Sequence, residues 1–348
     1  MGKVVNFKLN KLEAILVEKD KEVDMAFVEM VFGDYKTAPA SKAREVKIIT
    51  FAEQETVGTT GDFYATSTVV CTEDGKTELT FIPPDINEVV PMTAEDAFEV
   101  ECEGDEAQRE IARLQKQRAR PVGILHRRRE RLMSKLGAEM AMTGSFTHHN
   151  GTVSTGFSDI TILTGEDKWS NATVSPIEKI NEDYENMDEK PDAIFCDKLA
   201  IKLILADARE VDNVNTGKAS NFARATAGEI NEKSKSKTVR YVGMILESGL
   251  EVYKVLTKVQ QKDGTKTPLF GDNEVFYAPI GDRTAAKFVY GGIPQVSDSL
   301  NPNPTTVASR ERYFISTNET NTSARVGMLS RLCPVIINPK KFKKVKVA

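Results

Sequence analysis

The groups in this chain that could move protons or hold a metal are few and scattered. There are three histidines in 348 residues. His148 and His149 abut the Asn150-Gly151 pair. Successive strand residues point to opposite faces, so the two imidazoles are not expected to share an ion. His126 sits among arginines and reads as a solvated helix residue. The four cysteines, Cys71, Cys102, Cys196 and Cys333, form no paired metal or redox spacing and read as buried thiols of a reducing compartment. Glu182, Asp183, Glu185, Asp188 and Glu189 crowd one amphipathic segment and read as its solvated face. The chain carries no phosphate loop, no GxGxxG after a strand, no HExxH and no nucleophile elbow. The residues therefore point to no catalytic centre, no metal and no cofactor. An enzyme would need groups that come together only in three dimensions.

Two basic features remain. Arg127, Arg128, Arg129 and Arg131 crowd one stretch, where they could neutralise phosphates with salt-dependent, sequence-blind affinity. Equally, they could form a solvent face paired with Glu130 and Glu139. Lys340, Lys341, Lys343, Lys344 and Lys346 read as protection of an exposed strand edge against uncontrolled pairing. A net charge of −4 and a pI near 5.7 exclude nucleic-acid binding through bulk charge, so any such contact is local. Glu13 and Glu18 interrupt the apolar residues around Ile15, so no signal peptide is expected. No run approaches the roughly 20 apolar residues of a membrane span. Asn6 stands where an acylation motif needs Ser or Thr.

At 40% hydrophobic and 28% charged, the composition is globular, with material for two or more domains. Leu9, Leu12, Ile15 and Leu16 fit one face of a short helix, and an apolar segment from Met25 to Phe32 stops at Gly33. Arg44 to Phe51 is strand-like and leads into a hairpin from Thr56 to Ile86, which turns at Asp74-Gly75. Counting outward from that turn, Val70 faces Leu79 and Thr68 faces Phe81. The hairpin ends at Pro83-Pro84, a pair that cannot continue a ladder. It has little apolar surface of its own, and a lone hairpin is barely stable in water. A second surface must receive it, and a neighbouring subunit is the expected one.

From Asp105 to Met142 the pattern is helical and densely charged, with a kink or a break into two helices expected at Pro121. Leu125, Leu132, Leu136 and Met140 form a narrow stripe suited to covering a sheet. Ser145 to Phe157 reads as a hairpin. Ser175-Pro176-Ile177-Glu178 is a capping box that opens a helix ending before Pro191. Asp192 to Cys196 is a buried strand, and Asp197 caps a helix through Asp207. Asn213 to Lys237 reads as a mobile polar loop. Strands follow at Thr238 to Leu246, Leu250 to Gln260 with a turn at Asp263-Gly264, Glu274 to Ile280, Arg310 to Thr317 and Ala324 to Ile337.

This order of parts resembles the tailed-phage major capsid proteins, and more narrowly the lambda-type protein E family. The stretches that carry the resemblance are Phe81-Ile82-Pro83-Pro84 with Pro91-Met92-Thr93-Ala94-Glu95-Asp96, the helix from Arg127 to Met142, Pro191-Asp192-Ala193-Ile194-Phe195, and Cys333-Pro334-Val335-Ile336-Ile337-Asn338-Pro339. The resemblance implies an α+β chain of the Hong Kong 97-type capsid fold. Its parts would be an N-terminal arm (1–45), an extended loop (46–92), a peripheral domain with a spine helix (93–190 and 305–348) and an axial domain (191–304). It further implies pentamers and hexamers of an icosahedral shell around double-stranded DNA, assembled in the host cytoplasm. Decoration, scaffolding and portal proteins are the expected partners, and no membrane is involved. By this transfer Thr68, Val70, Leu79 and Phe81 become lateral contacts, and Arg127, Arg128, Arg129 and Arg131 become candidates for the genome-facing side. Two other readings stay open: a nanocompartment shell of the same fold, and a DNA-binding protein that works through the arginine helix.

Overall fold

The computed structural model describes residues 4–6, 23–43, 45–51, 76–92, 106–149, 151–154, 161–171, 173–213, 221–261, 263–295, 305–307, 310–317 and 324–348. Its first layer is a five-stranded sheet built on the 13-residue strand Ala324–Ile336. Arg312–Thr317 and Asp85–Met92 pair antiparallel with its first part, and Ala286–Tyr290 with its second. Val4–Asn6 adds to Arg312–Thr317. The central strand is apolar because it is covered: Val326, Met328, Leu332, Cys333, Val335 and Ile336 are all buried.

Across this sheet lies the helix Glu106–Thr143. It runs unbroken through Pro121, so the expected break does not occur. Interior proline costs about 3 kcal/mol, but Pro121, Val122 and Gly123 are all buried, and that packing holds the helix together. The buried stripe is also wider than four residues, since Val122, Met133, Ala138 and Ala141 join Leu125, Leu136 and Met140.

The apolar segment Met25 to Phe32 contains the helix Ala26–Phe32, which Gly33 stops with φ of 77°. It is no free arm. Phe27, Val28, Met30, Val31 and Phe32 are buried, and the Phe27 ring meets Phe195 and Phe270 edge-on at 5.3 and 5.7 Å. Within the expected arm segment, the stretch from Met25 to Phe32 is therefore packed into the subunit's core. The helix predicted around Leu9 to Leu16 lies outside the described residues.

A second, seven-stranded sheet carries the strands in the order Thr161–Ile162, Lys343–Lys346, Glu274–Ala278, Ala193–Cys196, Glu251–Val255, Val239–Ile245, Phe222–Arg224. Its two faces feed two cores. Phe195, Tyr253 and Phe276 turn toward the first helix and the five-stranded sheet. Ile194, Cys196, Val252, Val275 and Tyr277 turn toward the helices Pro176–Asn186 and Lys198–Asn213. The sheet does not coincide with the segment 191–304. Residues 161–162, 176–186 and 343–346 join this layer from outside 191–304, while Ala286–Tyr290 leaves it for the other sheet.

Local signals position these elements. Ser175 Oγ accepts from Glu178 N at 3.2 Å, and Asp207 supplies the second cap by accepting from Ile177 N at 3.0 Å. The Asp197 carboxylate accepts from Leu199 N and Ala200 N, both at 2.8 Å. The stretch read as a mobile loop instead holds the strand Phe222–Arg224 and the helix Ala227–Lys233. That helix is opened by a full capping box between Thr226 and Glu229. It was hidden because no apolar run follows the box.

Candidate functional site

The extended ribbon is described at its base. Lys76–Phe81 pairs antiparallel with Val46–Phe51, the segment read as a lead-in, with Phe81 opposite Val46 and Lys76 opposite Phe51. Leu79 stands opposite Ile48. Phe81 and Val46 are buried in the main core, whereas Lys47 and Thr80 are exposed. Phe81 is therefore an anchor of the ribbon within its own subunit and not a lateral contact. Thr68, Val70, Cys71 and the Asp74-Gly75 turn lie outside the described residues.

The arginine row divides by burial. Arg129 is 4% exposed and paired with Glu311, with its guanidinium 5.5 Å over the Tyr35 ring. Burial alone would favour the neutral form, but the Glu311 carboxylate and, after it, Tyr290, Tyr313 and Tyr35 together outweigh it and keep the guanidinium charged. Arg129 is thus withdrawn from the genome-facing set. Arg128 is exposed and reaches Glu88 at 3.4 Å, Arg127 is half-buried, and Arg131 is exposed.

Sequence reasoning missed the network around Arg129. His126 is only partly exposed: its Nδ1 meets Arg129 Nη2 at 3.3 Å and its Nε2 meets Tyr313 Oη at 2.6 Å. Tyr35 Oη donates to Glu130 at 2.7 Å, so the next helical residue is tied to the turn after the first helix. Burial and then this carboxylate push the Tyr35 phenol well above its ordinary pKa. The available signal was a spacing of three along the helix from His126 to Arg129. The tyrosines come from distant segments and gave none.

His148 and His149 stand with their ring centroids 5.8 Å apart, and His149 Nε2 lies 3.5 Å from Asp85, which also holds the buried Arg331. Burial, then the neighbouring His149, lowers the His148 pKa. Among the described residues no three His, Cys, Asp or Glu groups gather as metal ligands. Nor is any described helix long and apolar enough to cross a membrane. Cys196 and Cys333 are buried thiols raised by burial, as read; Cys71 and Cys102 lie outside the described residues. A cleft of about 830 Å3 is lined in part by Asp24, Glu29, Glu130, Lys235 and Lys237. The Asp24 carboxylate in it already binds the Thr238 and Thr257 hydroxyls.

The C-terminal lysines do not guard an open edge. Lys343–Lys346 lies inside the seven-stranded order. Lys341, Lys343 and Lys344 reach Asp282, Asp183 and Glu274 at 2.8, 2.6 and 3.2 Å. The acidic helix face supplies one of these partners, so Asp183 is structural and not merely solvated.

Against known proteins, residues 59–338 match the family described as phage major capsid protein E. No curated protein sequence matches the chain. Among solved structures it is similar to a prophage protein of E. coli CFT073, proposed to be a capsid protein, with 15% identity and a TM-score of 0.62 over 99% of this chain and 100% of that one. It is also similar to a phage-related protein from Bordetella bronchiseptica RB50, with 11% identity and a TM-score of 0.50 over 99% of this chain and 98% of that one.

Proposed function

This chain belongs to the phage major capsid protein E family, and from that premise we propose that it closes icosahedral shells of pentamers and hexamers around double-stranded DNA. Its role is structural, its fold is of the Hong Kong 97 type, and the shell is built from copies of itself. The family match over residues 59–338 carries this reading. Many modest lateral interfaces, closed by symmetry, give such a shell its stability.

The extended loop supports the reading through its anchoring. Its base is fixed in the subunit core at Val46 and Phe81, which gives the loop a footing in its own subunit. Thr68 and Val70 remain proposed lateral contacts, and Leu79 joins them from the ribbon. Arg127, Arg128 and Arg131 remain proposed genome-facing groups. Neutralising phosphates in this way positions DNA without reading its sequence. Assembly in the host cytoplasm, and contacts with decoration, scaffolding and portal proteins, complete the proposal.

Negative-stain electron microscopy of the purified chain tests it. Closed shells, tubes or capsomer rings are expected. A monodisperse monomer across concentration, salt and pH would overturn the reading. Particles recovered from phage-producing cells should hold double-stranded DNA; particles with protein cargo and no DNA would instead make this a nanocompartment shell.

A further inference from the structure

The seven-stranded sheet carries its two helices on one face, and the charges of that helical layer are divided. Glu178, Glu182 and Glu185 lie four and then three residues apart on the helix Pro176–Asn186, so they form one stripe, and all three are exposed. Lys179 reaches Glu182 at 2.8 Å, while the Glu178 and Glu185 carboxylates pair with no cation among the described residues. The helix rests on the side of Glu274–Ala278 and Lys343–Lys346, where Asp183 takes Tyr277 and Lys343. Its Asn181 donates to Glu247 at 2.6 Å, in the turn between Val239–Ile245 and Glu251–Val255.

The opposite charge stands at the far end of those two strands. Arg240 pairs directly with Lys254, and Lys254 with Cys196, two residues before Lys198 opens the next helix. Val239, Tyr241, Tyr253 and Val255 belong to the main core, so strand alternation turns Arg240 and Lys254 to the helical side. They lie about 15–20 Å along the strands from the Glu247 turn. Like charges directly opposite one another destabilise a ladder, and no carboxylate relieves this pair. Among the described residues Arg240, Lys254 and Lys198 have no acidic partner, whereas Lys233, Lys341, Lys343 and Lys344 all have one. One layer thus ends in a row of carboxylates at one corner and a group of cations at the other.

We propose that Glu178, Glu182 and Glu185 of one copy meet Arg240, Lys254 and Lys198 of the next, and that this contact sets the copies head to tail in a ring. The ring rests on the shell-subunit reading. A second copy is the partner because one arrangement answers both charge groups at once, and cyclic closure repeats it at every interface. Exposed ion pairs are weak singly. Their part here is orientation, since copies turned the other way would press acid on acid or cation on cation. Duplex phosphates would answer the cations alone and would be repelled by the carboxylates of the same layer.

Charge reversal in the full-length chain tests this, with circular dichroism to check folding and electron micrographs to count particles. E182K/E185K has two cationic corners and K198E/R240E/K254E two acidic ones, and each should give about tenfold fewer assembled particles than wild type. If either is unfolded, its neutral counterpart, E182Q/E185Q or K198Q/R240Q/K254Q, takes its place and should also assemble less. The chain with all five reversals has its corners exchanged and should assemble again. A mixture of the two reversal variants adds a second arm. Unlike neighbours can alternate around a ring of six but not a ring of five, so the mixture should give hexamer sheets or tubes and no closed shells. Shells at wild-type yield from either reversal variant, a folded five-site variant that stays unassembled, or closed shells from the mixture would overturn the contact and leave the capsid reading standing. Normal shells of K198E/R240E/K254E that hold less DNA would also overturn it, by giving these cations to phosphates. Rings or open chains that obey the charges without any shell would uphold the contact and count against the capsid reading.

Discussion

Gly137 and Arg129 lie about two turns apart on the long helix and show how single residues set its seat. A Cβ built at Gly137 would stand 2.3 Å from Val28 Cγ1, inside van der Waals contact with the first helix. Alanine would gain about 1 kcal/mol of helix propensity, yet Val28 is buried and stiff at χ1, so it cannot step aside. Gly137→Ala should therefore destabilise the subunit by about 1–3 kcal/mol in urea unfolding. Val28→Ala in the same chain should return part of that loss, as a double-mutant cycle would show. The pH dependence of stability has its own residue. Burial would raise the Asp282 carboxyl, but the Lys341 ammonium and the Thr284 hydroxyl and amide outweigh it and hold it at about 2. A carboxyl depressed on folding stabilises fully above its unfolded value near 3.9, and that contribution fades as pH falls toward 2. Asp282→Asn should flatten this acid limb in melts recorded between pH 2 and pH 5, and leave its slope above pH 6 unchanged. At this scale the cysteines at 196 and 333 were legible, because a lone Cys without a spaced partner is usually a buried thiol. His126 was not, since its partner Tyr313 is 187 residues away.

Among the elements, those with strong local chemistry were read correctly. The helix from Pro176 follows from Ser175 and proline at its first position, and the helix from Lys198 follows from the Asp197 cap. The hairpin Ser145–His148 with Gly151–Ser154 follows from Asn150-Gly151. Elements whose form depends on a partner were less legible. Of the two outcomes read at Pro121, a kink or a break, the break does not occur: Pro121 is buried within one continuous helix. In the ribbon, Lys76–Phe81 pairs with Val46–Phe51, a long-range partner that turn chemistry does not signal, while the Asp74-Gly75 turn lies outside the described residues. This register tells where the loop can be cut. Since Phe51 and Lys76 are opposed, deleting residues 52–75 and joining the ends by Asn-Gly should close a type I′ turn on an intact stem. We expect a folded subunit whose Tm shifts by no more than about 3 °C and which forms no shells in electron micrographs. Global unfolding of this variant would instead place the loop in the intramolecular core.

For the whole molecule, the two sheets share one main core. Phe27 from the first helix touches Phe195 and Phe276 of the seven-stranded sheet and Phe270 just before the strand Glu274–Ala278, while Phe32 of the same helix meets Phe288 of the five-stranded sheet at 5.6 Å. The first helix is thus the wedge between layers. By itself the sequence determined the solvent-compatible composition, the capped helices, the buried strand Ala193–Cys196, the long strand Ala324–Ile336 and the family. Each of these is written in residues a few positions apart, or in an order of parts that survives divergence. Only the tertiary structure decided that Arg129 is a buried bolt, that Phe81 is an anchor, that Lys343 and Lys344 serve a strand inside a sheet, and that Met25 to Phe32 is core. Burial and charge pairing between segments hundreds of residues apart depend on which surfaces meet, and no local pattern encodes that meeting.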